Sequence, residues 1–181
     1  YDFSELDQQV QGVLGAGAEP LVVFNPSAPP SNLASYGVFA ANVAKHLTQG
    51  WAGGHSWPVK VFRFGNEPQN PGFWSGTQQQ FFETYAAWAR ALKTVEPSFA
   101  LVTPAVAYAR DTNDPDAINP WIPSLLSYCK NNSVPVDYVT FHTYSIFPPA
   151  YYEDAHLVAS ALKGYPGLSP LYGTPRLGND E

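Results

Sequence analysis

The chain has 181 residues, enough for one domain with a sizeable core, and contains a single cysteine, Cys129, which excludes a disulfide framework or a cysteine zinc knuckle. It is 45% hydrophobic and 15% aromatic with a formal net charge of −6, and its 9 Lys and Arg are too few and too scattered to neutralise phosphates, so no nucleic-acid partner is expected. No apolar run approaches the roughly 18 residues of a membrane span and no signal-peptide pattern opens the chain, so no membrane partner is expected and no compartment is assigned.

Leu6, Val10, Val13 and Leu14 fall at helical spacing and predict a first helix, with Ser4 as N-cap, Asp7 three residues on, and Gly15 and Gly17 closing it. Residues 21–24 form a short, wholly apolar run of the kind found in parallel strands covered on both faces. Tyr36, Phe39, Ala40, Val43 and Leu47 predict a second helix up to Gly50, and the apolar run 59–64 a strand ending just before Asn66-Glu67-Pro68. Thr77 and Gln80 have the spacing of a capping box, and Phe81, Tyr85, Trp88, Ala89 and Leu92 line one face of the helix behind it until Pro97. A strand at 99–102 follows, then a helix carrying Ile118, Trp121, Ile122, Leu125 and Cys129. Next come a strand at 136–142, a helix around 156–162 and a weaker strand at 175–181.

Strict alternation of strands with helices indicates parallel strands joined by right-handed crossovers, an α/β architecture. No glycine-rich phosphate turn follows a strand, which leaves the nucleotide-binding open sheet without its main support. The segments 26–30, 69–76, 108–115 and 146–152 are instead rich in Pro, Asn and aromatics, and each is read as a loop after a strand tip. In a barrel of parallel strands that is the face where side chains converge on a ligand, so Glu67 reads as catalytic. Phe73, Trp74, Tyr108, Tyr144, Phe147, Tyr151 and Tyr152 would then supply apolar area to a sugar ring at the same end.

The run from Phe64-Gly65-Asn66-Glu67-Pro68 through Phe73-Trp74, Phe82, Tyr85, Ala89 and Lys93 to Pro97 resembles the fourth strand and helix of clan A glycoside hydrolases. The likeness is closest to glycoside hydrolase family 39, with its β-xylosidases and α-L-iduronidases. Tyr1-Asp2-Phe3 through Leu6-Asp7 is similar to the second helix there, and Val136-Asp137-Tyr138-Val139-Thr140-Phe141-His142-Thr143-Tyr144 to the sixth strand with its His-x-Tyr tip. The resemblance implies a (β/α)8 TIM barrel seen from about helix 2 to strand 7. Strands 1, 2 and 8 would lie in a longer gene product, and this piece alone is expected to be inactive or poorly stable because its sheet edges would be unpaired.

The resemblance further implies a retaining glycosidase that uses two glutamates. Glu67 takes the general acid/base role by match, and Glu181 is the candidate nucleophile at the tip of strand 7, although Arg176-Leu177-Gly178-Asn179-Asp180 departs from the aliphatic run with Thr that usually precedes it. One carboxyl must be neutral and the other ionised at the same pH, and in retaining enzymes the two stand about 5–5.5 Å apart. Asn66 resembles the family asparagine that binds the sugar 2-hydroxyl. His142 and Tyr144 alternate onto one face of their strand and are read as substrate-binding, together with Phe73 and Trp74; His142 would hold a sugar hydroxyl or tune a carboxylate. Arg63 is either a partner for a buried acid or turned toward the helices.

His46, His55 and His156 lack metal-ligand spacing and are read as solvated, so neither metal nor cofactor is expected. A carbohydrate is the expected partner. Two alternatives stand beside the retaining glycosidase: a noncatalytic carbohydrate-binding barrel, and a clan A endo-glycanase of the cellulase or mannanase kind.

Overall fold

The computed structural model describes residues 1–179, so Glu181 and Asp180 lie outside the described residues. The elements alternate as α1 (Ser4–Gly15), β1 (Leu21–Phe24), α2 (Leu33–Gln49), β2 (Val61–Phe64), α3 (Gln78–Val95), β3 (Ala100–Val102), α4 (Trp121–Asn131), β4 (Tyr138–Phe141), α5 (Pro148–Leu162) and β5 (Arg176–Asn179). The strands form one sheet in the order β1-β2-β3-β4-β5, every pair parallel. Parallel strands that neighbour one another in chain order, each joined by a right-handed crossover, place every helix on the same side. A doubly wound sheet would reverse direction; this one does not, and its path is that of a (β/α)8 barrel wall.

Side-chain parity agrees. Phe62 and Phe64 on β2 are fully buried against the helical layer, Phe64 within 5.2–5.8 Å of the Phe81, Tyr85 and Trp88 rings of α3. Arg63 faces the other way and is half-buried, which settles its side in favour of the barrel interior. On β1, Val22 and Phe24 are buried, whereas Leu21 and Val23 on the inner face are 44% and 41% exposed among the described residues. Barrel interiors are filled by side chains from facing strands, so this inner face is built to be covered.

Local signals explain most element boundaries. Thr77 and Gln80 form the capping box: the Gln80 N–H donates to Thr77 Oγ1 at 3.2 Å and the Thr77 N–H to Gln80 Oε1 at 2.9 Å. Asn32 caps α2 through the Ser35 N–H, and Gly50 ends it in the left-handed region at φ 73°. Two expectations are corrected. Ser4 is not an N-cap; it is the first residue of α1, and its own N–H and hydroxyl donate to Asp2 Oδ1. Residues 148–152 are not loop but the first turn of α5, because Pro148 and Pro149 occupy first-turn positions whose missing N–H groups would have had no helical partner. Cys129 is fully buried, and burial pushes its thiol well above its ordinary range, so it packs as a small hydrophobe.

Asp137 is the main polar tie of the lower sheet. Fully buried, its Oδ2 accepts from the Leu101 N–H and pairs with Lys93 Nζ, both at 2.9 Å, while Oδ1 accepts from Ser169 Oγ at 2.6 Å. It thereby connects α3, β3, β4 and the segment before β5. Asp137→Ala is expected to cost about 3 kcal/mol, because the partly buried Lys93 ammonium loses its counter-charge and a buried strand N–H its acceptor; a shift of the urea midpoint to lower concentration without change in the slope measures it.

Candidate active site

Glu67 lies three residues beyond the end of β2. Its backbone sits at φ 40°, in the left-handed region, a conformation that costs a non-glycine residue about 1–3 kcal/mol and persists only where its surroundings impose it. They do so here through three backbone bonds: Gly65 N–H to Phe24 O at 2.7 Å, Glu67 N–H to Ala105 O at 2.7 Å, and Asn70 N–H to Glu67 O at 2.9 Å. Gly65 itself has φ 76°, and a Cβ there would run into the Phe81 ring, so no other residue fits under the turn.

The carboxylate is met by the tip of β4. His142 Nδ1 and Tyr144 Oη each lie 2.9 Å from the same oxygen, Glu67 Oε1, and 3.0 Å from one another. The Tyr144 hydroxyl donates to Oε1, and so does His142 in the tautomer with Nδ1 protonated. Oε2 takes no hydrogen bond from the described residues. Glu67, Gln69, Tyr108, Asp111, Trp121 and Tyr144 are among the residues lining a cavity of about 550 Å³ at this end of the sheet. That size suits a sugar-sized ligand.

The tip of β4 is held from behind. His142 N–H donates to Val106 O at 2.9 Å, and the Thr143 hydroxyl to Asp154 Oδ2 of α5 at 2.9 Å. Arg110, from the loop after β3, donates to the other Asp154 oxygen at 2.6 Å and to Pro115 O at 2.7 Å. Sequence reasoning missed Arg110, Thr143 and Asp154, since partners 44 residues apart have no local pattern.

Of the residues expected to bind substrate, Tyr144 is 56% exposed at the cavity, with Tyr108 edge-on to it at a centroid distance of 5.8 Å. His142 is buried completely, so its place is behind the acid and not against a ligand. Asn66 lies beside the acid, bridging to Ala105, and its Oδ1 is buried with no hydrogen-bond partner among the described residues. Both polar atoms of the Gln69 side chain are in the same position. Buried acceptors and donors of this kind cost about 1–3 kcal/mol each until a partner reaches them. Trp74 is corrected: 3% exposed, it packs edge-on to Phe81 at 5.1 Å and donates Nε1–H to Thr77 O at 3.0 Å, so it anchors the loop to the start of α3. Phe73 is 38% exposed on that loop but does not line the Glu67 cavity. Phe147, Tyr151 and Tyr152 are exposed, the last two on α5 and not on a loop. Glu181, the expected nucleophile, lies outside the described residues.

Comparison with known proteins identifies the family. The model of the family described as Glycosyl hydrolases family 39 matches residues 13–157. A β-xylosidase of Caldicellulosiruptor saccharolyticus is 27% identical over 163 residues, covering 80% of this chain and 31% of the relative, and one of Geobacillus stearothermophilus is 26% identical over 168 residues, covering 82% and 32%. The chain thus spans about a third of the length of these curated relatives. Among solved structures, a glucosidase from Croceicoccus marinus superposes with a TM-score of 0.78 at 29% identity, over 89% of this chain and 35% of the other. A family 39 β-xylosidase from Caulobacter crescentus superposes over all of this chain and 42% of its own, with a TM-score of 0.73 at 24% identity, which speaks to the fold. With four-fifths of its length matched by the family model, an in-order parallel barrel wall, and an Asn-Glu-Pro acid met by a His-x-Tyr strand tip, the chain belongs to glycosyl hydrolase family 39.

Proposed function

We propose that this chain carries the acid/base side of a retaining β-glycosidase that acts on β-xylosides or closely related sugars, with Glu67 as the proton donor. The observation that carries the reading is the double hold on Glu67 Oε1 by His142 and Tyr144, beside a cavity of sugar size. With one oxygen fixed by two donors, the other has a defined direction in which to present its proton. The β-xylosidase relatives support the choice of sugar.

In the first step the Glu67 carboxylic acid gives its proton to the glycosidic oxygen as the C1–O bond breaks, and a second carboxylate forms an ester bond to C1. Glu181 is the proposed nucleophile on its sequence match alone. In the second step Glu67, now a carboxylate, takes a proton from water as the water oxygen attacks C1 and the ester bond breaks, restoring both groups. Asn66 is proposed to meet the 2-hydroxyl of the sugar, which gives its amide the partner it lacks among the described residues. Because the curated relatives are about three times as long as this chain, activity is to be sought in the whole gene product.

Two substitutions test the reading. Glu67→Gln is expected to lower kcat by about 10²–10⁴-fold on a xyloside with a poor leaving group. Azide should restore turnover on an activated aryl xyloside and yield a β-xylosyl azide; unchanged turnover in Glu67→Gln would remove Glu67 from the acid/base role, and sugar binding without turnover in the unsubstituted protein would identify a noncatalytic sugar-binding barrel. Tyr144→Phe removes one of the two donors to Oε1 and is expected to lower kcat/KM by about three- to tenfold, roughly the net worth of one ordinary hydrogen bond.

A further inference from the structure

At the end of the sheet opposite Glu67, three side chains distant in sequence come together: Asp7 of α1, His46 in the last turn of α2, and His55 in the loop that leads to β2. His46 Nε2 lies 2.9 Å from Asp7 Oδ1, and His55 Nε2 lies 3.3 Å from Asp7 Oδ2. One donor atom from each residue falls within 4.8 Å of the others. His46, expected from its sequence context to be solvated, is only 3% exposed, and His55 is half-buried; His156 is the one of the three that stands in solvent.

The hydrogen bonding decides which atoms are available. His46 Nδ1 lies 2.9 Å from the Trp51 carbonyl oxygen, which can only accept, so Nδ1 carries a proton and Nε2 is the nitrogen that faces the Asp7 carboxylate. A lone pair aimed at a carboxylate oxygen needs a cation between them, either a second proton or a metal ion. A ring N–H donating to a backbone carbonyl while the other nitrogen is left for a metal is the usual second sphere of a metal-bound histidine. Zinc bonds of about 2.0–2.1 Å at tetrahedral angles set donor atoms about 3.3 Å apart, and the two His–Asp7 separations are 2.9 and 3.3 Å.

The surroundings hold the ligands in place. The His55 N–H donates to His46 O at 2.6 Å, the Gly50 N–H to His55 O at 2.8 Å, and the Gly54 N–H to the same Trp51 carbonyl at 3.1 Å. A Cβ at Gly54 would overlap both the carbonyl oxygen and the ring of His46, so glycine is required for the loop to close over the imidazole. Phe3 stacks on His46 at 3.8 Å and Trp57 on His55 at 3.6 Å, which fixes both ring planes. The last turn of α2 adds its partial negative charge, which favours a cation at that position.

We propose that Asp7, His46 and His55 form a three-ligand site for a borderline divalent cation, Zn²⁺ above all, with solvent completing the coordination. Two imidazole nitrogens and one carboxylate select such an ion over Mg²⁺ or Ca²⁺, which prefer oxygen throughout. The ion fastens α1 to the end of α2 and to the loop before β2, and takes no part in the chemistry at Glu67.

The test is titration of the EDTA-treated protein with ZnCl2, followed by calorimetry and by thermal unfolding. Saturation at one Zn²⁺ per chain is expected, with a rise in the unfolding midpoint of about 5 °C or more at a hundredfold excess over Kd and no comparable rise with MgCl2. His55→Ala and Asp7→Asn should each weaken binding at least tenfold and remove the thermal shift, while Glu67→Gln leaves both intact. Absence of saturable Zn²⁺ binding, or binding unchanged in His55→Ala and Asp7→Asn, overturns the proposal and leaves the three residues as a proton-bridged group.

Discussion

A single carboxylate oxygen accepts from two side chains carried by a strand that is not its neighbour in the sheet. Glu67 follows β2, His142 and Tyr144 follow β4, and β3 lies between them. Beyond Val102 the chain continues through Thr103 and Pro104, and the Ala105 carbonyl takes the Glu67 N–H while Val106 bridges to Phe141. The acid thereby leans over the end of β3 toward β4. Its left-handed backbone is the local cost of that lean, offset by the three backbone bonds around the turn.

The rest of the arc reads as support for this reach. Regular pairing of β3 with β4 amounts to one register position, Val102 with Tyr138, and two threonines take over beyond it. The Thr140 N–H donates to Thr103 Oγ1 at 3.2 Å and the Thr140 hydroxyl to Thr103 O at 3.1 Å. Further on, Val106 O accepts the His142 N–H, and Asp154 holds Thr143 and Arg110 together. At the other end of the strands, Asp137 ties the same two strands to α3. Side-chain bonds at both ends thus replace the ladder that a short strand cannot supply, leaving the strand tips close enough for one cavity.

Two polar clusters at opposite ends of the sheet make different demands. At the tips, Glu67 keeps one oxygen without a partner among the described residues, and Asn66 and Gln69 have buried polar atoms in the same state, which suits the proposed sugar site. At the far end, Asp7, His46 and His55 are closed in by stacked rings and backbone bonds, an arrangement that stiffens a helix junction. Catalysis needs groups left open, and a fastening needs them satisfied.

The alternation of periods, the capping box at Thr77 and the parity of His142 with Tyr144 are local properties of the chain, set by 3.6- and 2-residue repeats, and the sequence alone determined them. It also placed Glu67 at a strand tip, because an apolar run followed by Asn-Glu-Pro can be read without knowing its neighbours. Only the tertiary structure decided that Trp74 turns inward to Thr77, that His142 stands behind the acid, that Asp154 braces the β4 tip, and that His46 is buried beside Asp7 and His55. Apart from the Trp74–Thr77 contact, which spans three residues, these depend on which side chains the fold brings within about 3 Å, and pairings across 11 to 77 residues are set by how the layers pack, leaving no trace in either repeat.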